Sequence, residues 1–361
     1  MTHRRLIFIT GASRSGTTLL SFVLRNHREV LGLKELQYFG QAWDPCAGQR
    51  RFSRAEATEA VAAMFACQEQ GVLAVRVGAE HRRAAAALVD SLGTEATDPA
   101  AVFAAAVHEL ARAAGKTIPC EQTPRNIFYA RALLDLYPAA HLVHIVRDPR
   151  AVMASQKKRW QRRSLAAEGT AVPRYHSLRV WVNYHPYTIA RLWSRATREA
   201  LALAEHPRVT LIRFEDLVQD PETTVRLLCG RLDLDFDERL LDVGQINSSY
   251  QSSAGGARRG LHADAIARWK DTLTRTEIAI TEQRCANLMR RFGYEGGAHA
   301  RATLPGQMAY RLSYLGHLAG VLLVNPRRAW VHGRALLLPG TPAKKMAVAH
   351  GKVAARGDLA D

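Results

Sequence analysis

The sequence predicts a three-layer α/β fold, a central parallel sheet flanked by helices. Three observations predict it. Short apolar runs of strand length alternate with longer helical stretches along most of the chain. The runs Leu6–Thr10, His141–Val146 and Val209–Phe214 each lead, through a short turn, into a helical pattern. The first of these turns is bounded by glycines and opens directly onto a helix, an arrangement that gathers backbone N–H groups around an anion.

Leu6–Thr10 is the first buried strand. Thr17–Asn26 follows with Leu19, Leu20, Val23 and Leu24 at helical spacing. Arg54–Glu69 and Pro99–Ala114 are alanine-rich and read as helices, Thr117–Cys120 as a weaker strand. Arg125–Leu136 reads as helical and stops before Pro138. After the strand His141–Val146, Asp148 is placed to cap a helix and Pro149 to open it, with the helix running to about Arg163. His176–Ala204 reads as one long, aromatic-rich helical stretch. The strand Val209–Phe214 is followed by Glu215–Val218 and a helix from Pro221, and Glu277–Phe292 is the last core helix, closed by Gly293. Ser164–Arg174 reads as a loop. Ser248–Gly260 is either a linker or a lid over an anionic ligand.

Residues 1–295 form one domain on this reading, and 296–361 a basic C-terminal extension. The stretch 304–340 mixes Leu and Val with Arg, His, Tyr and Trp. It reads as a packing extension, with a basic amphipathic surface for peripheral membrane contact or for a partner as the alternative. The end, 341–361, is expected to be disordered. The net charge of +17 favours anionic partners, although a solvated basic surface gives the same number. Five scattered cysteines with no C-x-x-C argue against a disulfide framework or a zinc site and fit a reducing, cytoplasmic compartment. Arg4 and Arg5 before an apolar run imitate a signal peptide, but the run continues into Gly11-Ala12-Ser13-Arg14 without a cleavage pattern. No run approaches about 20 apolar residues, so no spanning helix is expected.

The chemistry concentrates at the expected strand ends. Gly11 and Gly16 have Walker A spacing, but Thr17 stands where that motif needs lysine, and Arg14 lies inside the loop. This argues for a phosphate loop that does not serve ATP hydrolysis. Arg147 follows the second strong strand. Ser155 and Arg159, four residues apart, are expected to share a helix face and converge on one anion. Glu35, one helix beyond the loop, can lie near the ligand and take a proton from an acceptor hydroxyl; an ordinary surface charge is the alternative.

Together these residues resemble the sulfotransferases that use 3′-phosphoadenosine-5′-phosphosulfate (PAPS), over roughly residues 4–295. Ser13-Arg14-Ser15-Gly16-Thr17-Thr18 looks like the family's loop for the 5′-phosphosulfate. Arg147 and Ser155 match its 3′-phosphate site, with Arg159 as an additional basic ligand. The segment Val209–Pro221, including Phe214, is similar to the strand-turn signature near the adenine. Asn247-Ser248-Ser249-Tyr250, Arg259 and Arg268-Trp269 resemble the lid and the residues after it, and Gly293-Tyr294 the close of the last core helix. The likeness is nearer to the bacterial and Golgi-type branch, with its tyrosylprotein and carbohydrate sulfotransferases, than to the cytosolic aryl type.

The resemblance implies a P-loop-containing fold and sulfuryl transfer from PAPS to a hydroxyl, less readily an amine, by in-line displacement. The acceptor is a small molecule, glycan, lipid or peptide, the product nucleotide is 3′-phosphoadenosine 5′-phosphate (PAP), and no metal is required. It implies Glu35 as general base and Arg14 as a catalytic cation; Ser15, Gly16, Thr17 and Thr18 complete the 5′ grip. His27, His144 and His262 are read as structural. Glu121-Gln122-Thr123-Pro124-Arg125-Asn126 departs from the family's usual Lys-Thr-Pro in carrying Gln122, which shifts charge stabilisation onto Arg14 or a lid arginine. A small-molecule kinase and a non-catalytic basic nucleotide- or nucleic-acid-binding protein are the competing readings. The sequence carries no dedicated nucleic-acid motif.

Overall fold

The computed structural model describes residues 2–47, 50–72, 75–161, 174–244, 261, 263–296 and 304–326, with the backbone of 164–165 and 170–171. Strand β1 (Leu6–Gly11) runs into helix α1 (Thr17–Arg25), then β2 (Val30–Gly32), α2 (Arg54–Gln70), α3 (Ala79–Ser91) and α4 (Pro99–Ala113). Strand β3 (Ile118–Glu121), α5 (Ala130–Leu136), β4 (Ala140–Val146) and α6 (Pro149–Lys157) follow. A two-strand antiparallel ribbon, β5 (Ser164–Leu165) and β6 (Thr170–Ala171), precedes α7 (Arg174–Val182) and α8 (Pro186–Leu201). Strand β7 (Val209–Arg213) leads to α9 (Phe214–Gln219), α10 (Pro221–Leu232), α11 (Trp269–Thr272), α12 (Arg275–Arg291) and α13 (Leu304–Val324).

The central sheet has the order β2-β3-β1-β4-β7, with every neighbouring pair parallel. Alternation along the strands divides the core between its two faces. Leu6 and Phe8 face one cluster with Phe39, Phe103, Tyr137 and Trp193. Ile7 and Ile9 face the other, with Leu20, Leu24, Leu217 and Leu228. Phe8 is the hub of the first cluster, its ring 6.0 Å from both Phe39 and Phe103 and 5.9 Å from Tyr137. Because the strands are parallel, the ends of β1, β3, β4 and β7 open onto the same rim, where ligands of such sheets bind.

Several expected elements change. The stretch His176–Ala204 is two helices, because Pro186 cannot continue a helix and instead opens α8 with His185 as its cap. The helix from Pro149 stops at Lys157, short of Arg163, and tightens into a 3₁₀ turn at Arg159–Gln161. The helical reading of Arg125–Leu136 resolves into a 3₁₀ turn, Pro124–Tyr129, followed by α5. The ribbon β5/β6 interrupts the expected loop at Ser164–Arg174, and α13 is a regular helix inside the C-terminal extension.

Candidate active site

The turn after β1 is built by close approach of backbones. A Cβ on Gly11 would lie 2.8 Å from the Ile145 carbonyl of β4, and one on Gly16 would lie 2.5 Å from the Phe214 ring. Gly16 adopts φ 106° and caps α1 without a side chain. Leu20 N–H closes the first turn on the Gly16 carbonyl at 3.0 Å, leaving the N–H groups of Thr17, Thr18 and Leu19 at the open helix start. Ser15 is fully buried, and its Oγ has no hydrogen-bond partner among the described residues. Arg14 sits at φ 81°, a left-handed conformation that costs a non-glycine residue about 1–2 kcal/mol. Its bonds hold it there: Nε donates to Ser155 Oγ at 3.0 Å, and its carbonyl accepts from Arg147 Nη1 at 3.3 Å.

Arg147 leaves the end of β4 and is fixed on several sides. Its guanidinium lies 4.0 Å above the Phe214 ring and donates through Nη2 to the Ala265 carbonyl at 2.9 Å. Its own carbonyl accepts from Trp193 Nε1 at 2.9 Å. Asp148 caps α6 by accepting from Arg150 N–H at 2.8 Å, and Pro149 opens the helix. Not every basic residue here faces the site. Arg150 is buried against Asp148 and Glu282 and stacks on Trp269, while Lys157 pairs with Glu277 at 2.7 Å. These two are cross-braces between α6 and α12.

Glu35 follows β2 in a segment tied to the end of β3. Leu33 N–H donates to the Cys120 carbonyl at 2.8 Å, Leu36 N–H to Glu121 Oε1 at 3.3 Å and Gln37 N–H to Thr123 Oγ1 at 3.2 Å. Burial raises the Glu35 carboxyl above the ordinary carboxylate range; Arg159, the Gln37 amide, Arg14 and Arg125 pull it back. Glu35 is therefore the focus of three guanidinium groups. The fully buried Glu121 behind it is pushed up to about 7, chiefly by burial, with Glu35 adding to the rise and the Thr123 and Leu36 hydrogen bonds opposing it.

The expectation that Ser155 and Arg159 share a helix face is corrected. The α-helix ends between them, so Ser155 meets Arg14 while Arg159 turns toward Glu35. Ser15, Gly16, Thr17, Thr18, Arg14, Ser155, Arg147 and Phe214 gather at the turn. Arg268 lies in the turn before α11, its carbonyl accepting from Thr272 Oγ1 at 3.0 Å. Ser249, Tyr250, Arg259 and His262 lie outside the described residues. His144 is locked to Thr10 Oγ1 at 3.0 Å and pushed by burial down to about 3, and His27 is buried with its Nδ1 accepting from Glu29 N–H. Both are structural.

With this geometry in hand, comparison with known proteins is decisive: the model of a family described as "Sulfotransferase family" matches residues 6–238. The chain belongs to the sulfotransferase family. Nodulation protein NoeE of Sinorhizobium fredii is 26% identical to this sulfotransferase over 313 residues, covering 82% of the chain and 68% of NoeE. Carbohydrate sulfotransferase 5 of Mus musculus is 29% identical over 176 residues, covering 44% of the chain and 42% of that longer protein. The solved sulfotransferase domain of the Synechococcus PCC 7002 olefin synthase covers 81% of the chain and 96% of that domain, at 21% identity and a TM-score of 0.48.

Sequence reasoning overlooked three residues of this sulfotransferase's site. Arg125 reaches the field of Glu35 from the 3₁₀ turn after β3, and its Nη2 donates to the Phe39 carbonyl at 3.3 Å. Glu121 anchors the Glu35 segment, and Trp193 holds the Arg147 carbonyl. The signal for the first two is the segment around Gln122, where charged residues flank a strand end. Gln122 itself is buried, and its Oε1 has no partner among the described residues. Trp193 had no local signal, since its bond spans two elements far apart in sequence.

Proposed function

We propose that this sulfotransferase binds PAPS at the turn between β1 and α1 and transfers its sulfuryl group to an acceptor hydroxyl, with Glu35 as general base. The observation that carries the reading is the junction at Arg14, which joins the loop to both Arg147 and Ser155 while its charge acts on Glu35. An anion at the loop therefore lies between a cationic cluster and a carboxylate.

The chain's own residues fit that donor. The open N–H groups of Thr17, Thr18 and Leu19, the buried Ser15 hydroxyl and the Arg14 guanidinium suit the 5′-phosphosulfate. Arg147 and Ser155 suit the 3′-phosphate, and Phe214 supports Arg147 from below. Arg159 stands closer to the reacting end, because its charge acts on Glu35. Ser249, Tyr250, Arg259 and Arg268 belong to the proposal as the cover. When bound, PAPS supplies a sulfuryl group whose bond to the 5′-phosphate oxygen breaks as the acceptor oxygen bonds to sulfur. Glu35 receives the acceptor proton, leaving a sulfate ester and PAP. The guanidinium groups of Arg14, Arg125 and Arg159 carry the counter-charge, so no metal has a role. A cytoplasmic setting completes the reading, supported by five free cysteines, four of them buried.

The test is transfer of labelled sulfate from PAPS into an extract of small molecules, glycans, lipids and peptides, with mass spectrometry of the products. A product heavier by one sulfuryl group, formed equally with and without a chelator and lost in Glu35→Gln, is the expected outcome. Label transfer that persists undiminished in Glu35→Gln would remove the base assignment. ATP turnover without sulfate transfer would replace the reaction class.

A further inference from the structure

Helix α13 is amphipathic in the wrong sense for a helix packed on a water-soluble core. Its inward contacts are polar and aromatic, not aliphatic: Ser313 Oγ lies 3.3 Å from His185 Nε2, His317 Nε2 2.9 Å from Thr188 Oγ1, the Tyr314 ring 5.1 Å from the His185 ring, and Asn325, just beyond the helix, is buried against Arg179. Its leucines point away, with Leu312, Leu315 and Leu323 72%, 74% and 84% exposed. The neighbouring α7 extends this surface with exposed Tyr175 and Trp181, and Tyr175 Oη reaches the Val324 carbonyl at 3.5 Å. Scattered apolar residues on a surface are ordinary, but this many large exposed apolar side chains on two packed helices are not.

Beside this surface lies a cavity of about 780 Å³ between α8, α12 and α13. Its charged lining is Arg191, Arg195, Arg198, Arg284 and Arg311 against the single carboxylate of Glu199. Four of the five arginines are exposed, and Arg195 is the one that pairs with Glu199, at 3.7 Å. Arg311 and the cavity-lining Tyr314 belong to α13 itself, one residue before Leu312 and one before Leu315. In the sequence Arg327-Arg328 follow Asn325-Pro326. None of these groups belongs to the site around Arg14.

We propose that the α7–α13 face docks on a bilayer rich in anionic phospholipid, with the exposed leucines in the acyl boundary and the arginine cavity taking headgroup phosphates. Three physical facts select this occupant. Apolar and cationic surfaces lie side by side along one helix, the pattern of helices lying in the interface plane. Among the described residues no helix is long and apolar enough to cross a membrane, so the surface lies on the bilayer rather than spanning it. A second copy would bring a chain of net charge +17 against its like, whereas an anionic surface attracts it. The proposal is independent of the chemistry at Glu35.

The experiment is flotation of the full chain with phosphatidylcholine vesicles made with and without phosphatidylglycerol. At least about tenfold stronger binding to the anionic vesicles is expected, falling as salt is raised. Leu312→Asp with Leu315→Asp is expected to abolish it, with the circular dichroism spectrum and PAP binding retained. Arg191→Glu with Arg198→Glu is expected to remove the preference for phosphatidylglycerol; each arginine near an anionic surface is worth about fivefold in partitioning. Equal recovery with and without vesicles would overturn the proposal. So would a vesicle-free dimer that Leu312→Asp dissociates, which assigns the face to a second copy. Inorganic phosphate bound at the arginines without any flotation would also overturn it, leaving a soluble-anion site.

Discussion

Glu35 is held between two opposing forces, burial that raises its carboxyl and three guanidinium groups that lower it, with burial prevailing. As the proposed base, Glu35 must be ionised to accept a proton, so kcat/KM is expected to rise with pH through a limb above the usual carboxylate range. Arg159 is the largest of the counter-charges. Arg159→Ala therefore lets Glu35 rise further, and the limb is expected to move to higher pH; a pH–rate profile checks this, and a shift to lower pH would contradict it. Gly16 gives a second residue-level prediction. Its φ of 106° and the Phe214 ring leave no room for a methyl group. Gly16→Ala is expected to cost about 1–3 kcal/mol in urea unfolding and to weaken PAP binding. Gly16 is legible in the sequence because it follows a recognisable strand, whereas Glu35 is singled out through the family resemblance, since the short β2 before it carries no strand signal of its own. Arg125 is not legible, because its convergence on Glu35 depends on the 3₁₀ turn Pro124–Tyr129 rather than on helical periodicity.

At the scale of elements, α6 carries the site on one side and is braced to α12 on the other. Arg150 joins Asp148 at 2.7 Å and Glu282 at 2.8 Å with little exposure, and Lys157 joins Glu277 in the capping box of α12. Breaking a buried pair leaves carboxylates without their counter-charge. Arg150→Ala is expected to lose about 3–5 kcal/mol by urea titration, although Arg150 contacts no part of the loop. The basic run after Arg147 thus divides between bracing and binding. Sequence spacing cannot make that division, because the partners Glu277 and Glu282 come from an element more than 100 residues away. The same limit explains the ends of the helices. Asp148 and Pro149 mark the start of α6 in the sequence, but its stop at Lys157 has no comparable signal. Pro186 does signal a break, and aromatic periodicity on both sides of it conceals that break.

Over the whole molecule, the strand order and the common rim follow from the alternation of strands and helices, and the two-faced core follows from the alternation of Leu6, Ile7, Phe8 and Ile9. What the alternation does not show is which face of the C-terminal extension packs, since α13 inverts the usual rule. Titration also acts on the fold as a whole. Among the described residues, His108, His141, His144, His185, His206 and His317 are held below their ordinary pKa mainly by burial. As pH falls below about 6.5 the unfolded chain takes up these protons and the folded chain does not, so stability falls. Glu35, Glu121 and Glu215 are raised and act in the opposite direction, but they are fewer. Urea midpoints are therefore expected to decline from pH 7 toward pH 5; a rise would show that the raised carboxyls dominate. The central claim is a clamp for a nucleotide bearing both a 5′-phosphosulfate and a 3′-phosphate, divided between the loop and Arg147. Isothermal titration of PAP against ATP, each with and without magnesium, tests it most directly. PAP is expected to bind without magnesium and far more tightly than ATP, with that preference lost in Arg147→Ala; equal or magnesium-dependent binding of ATP, or unchanged PAP affinity in Arg147→Ala, would contradict it.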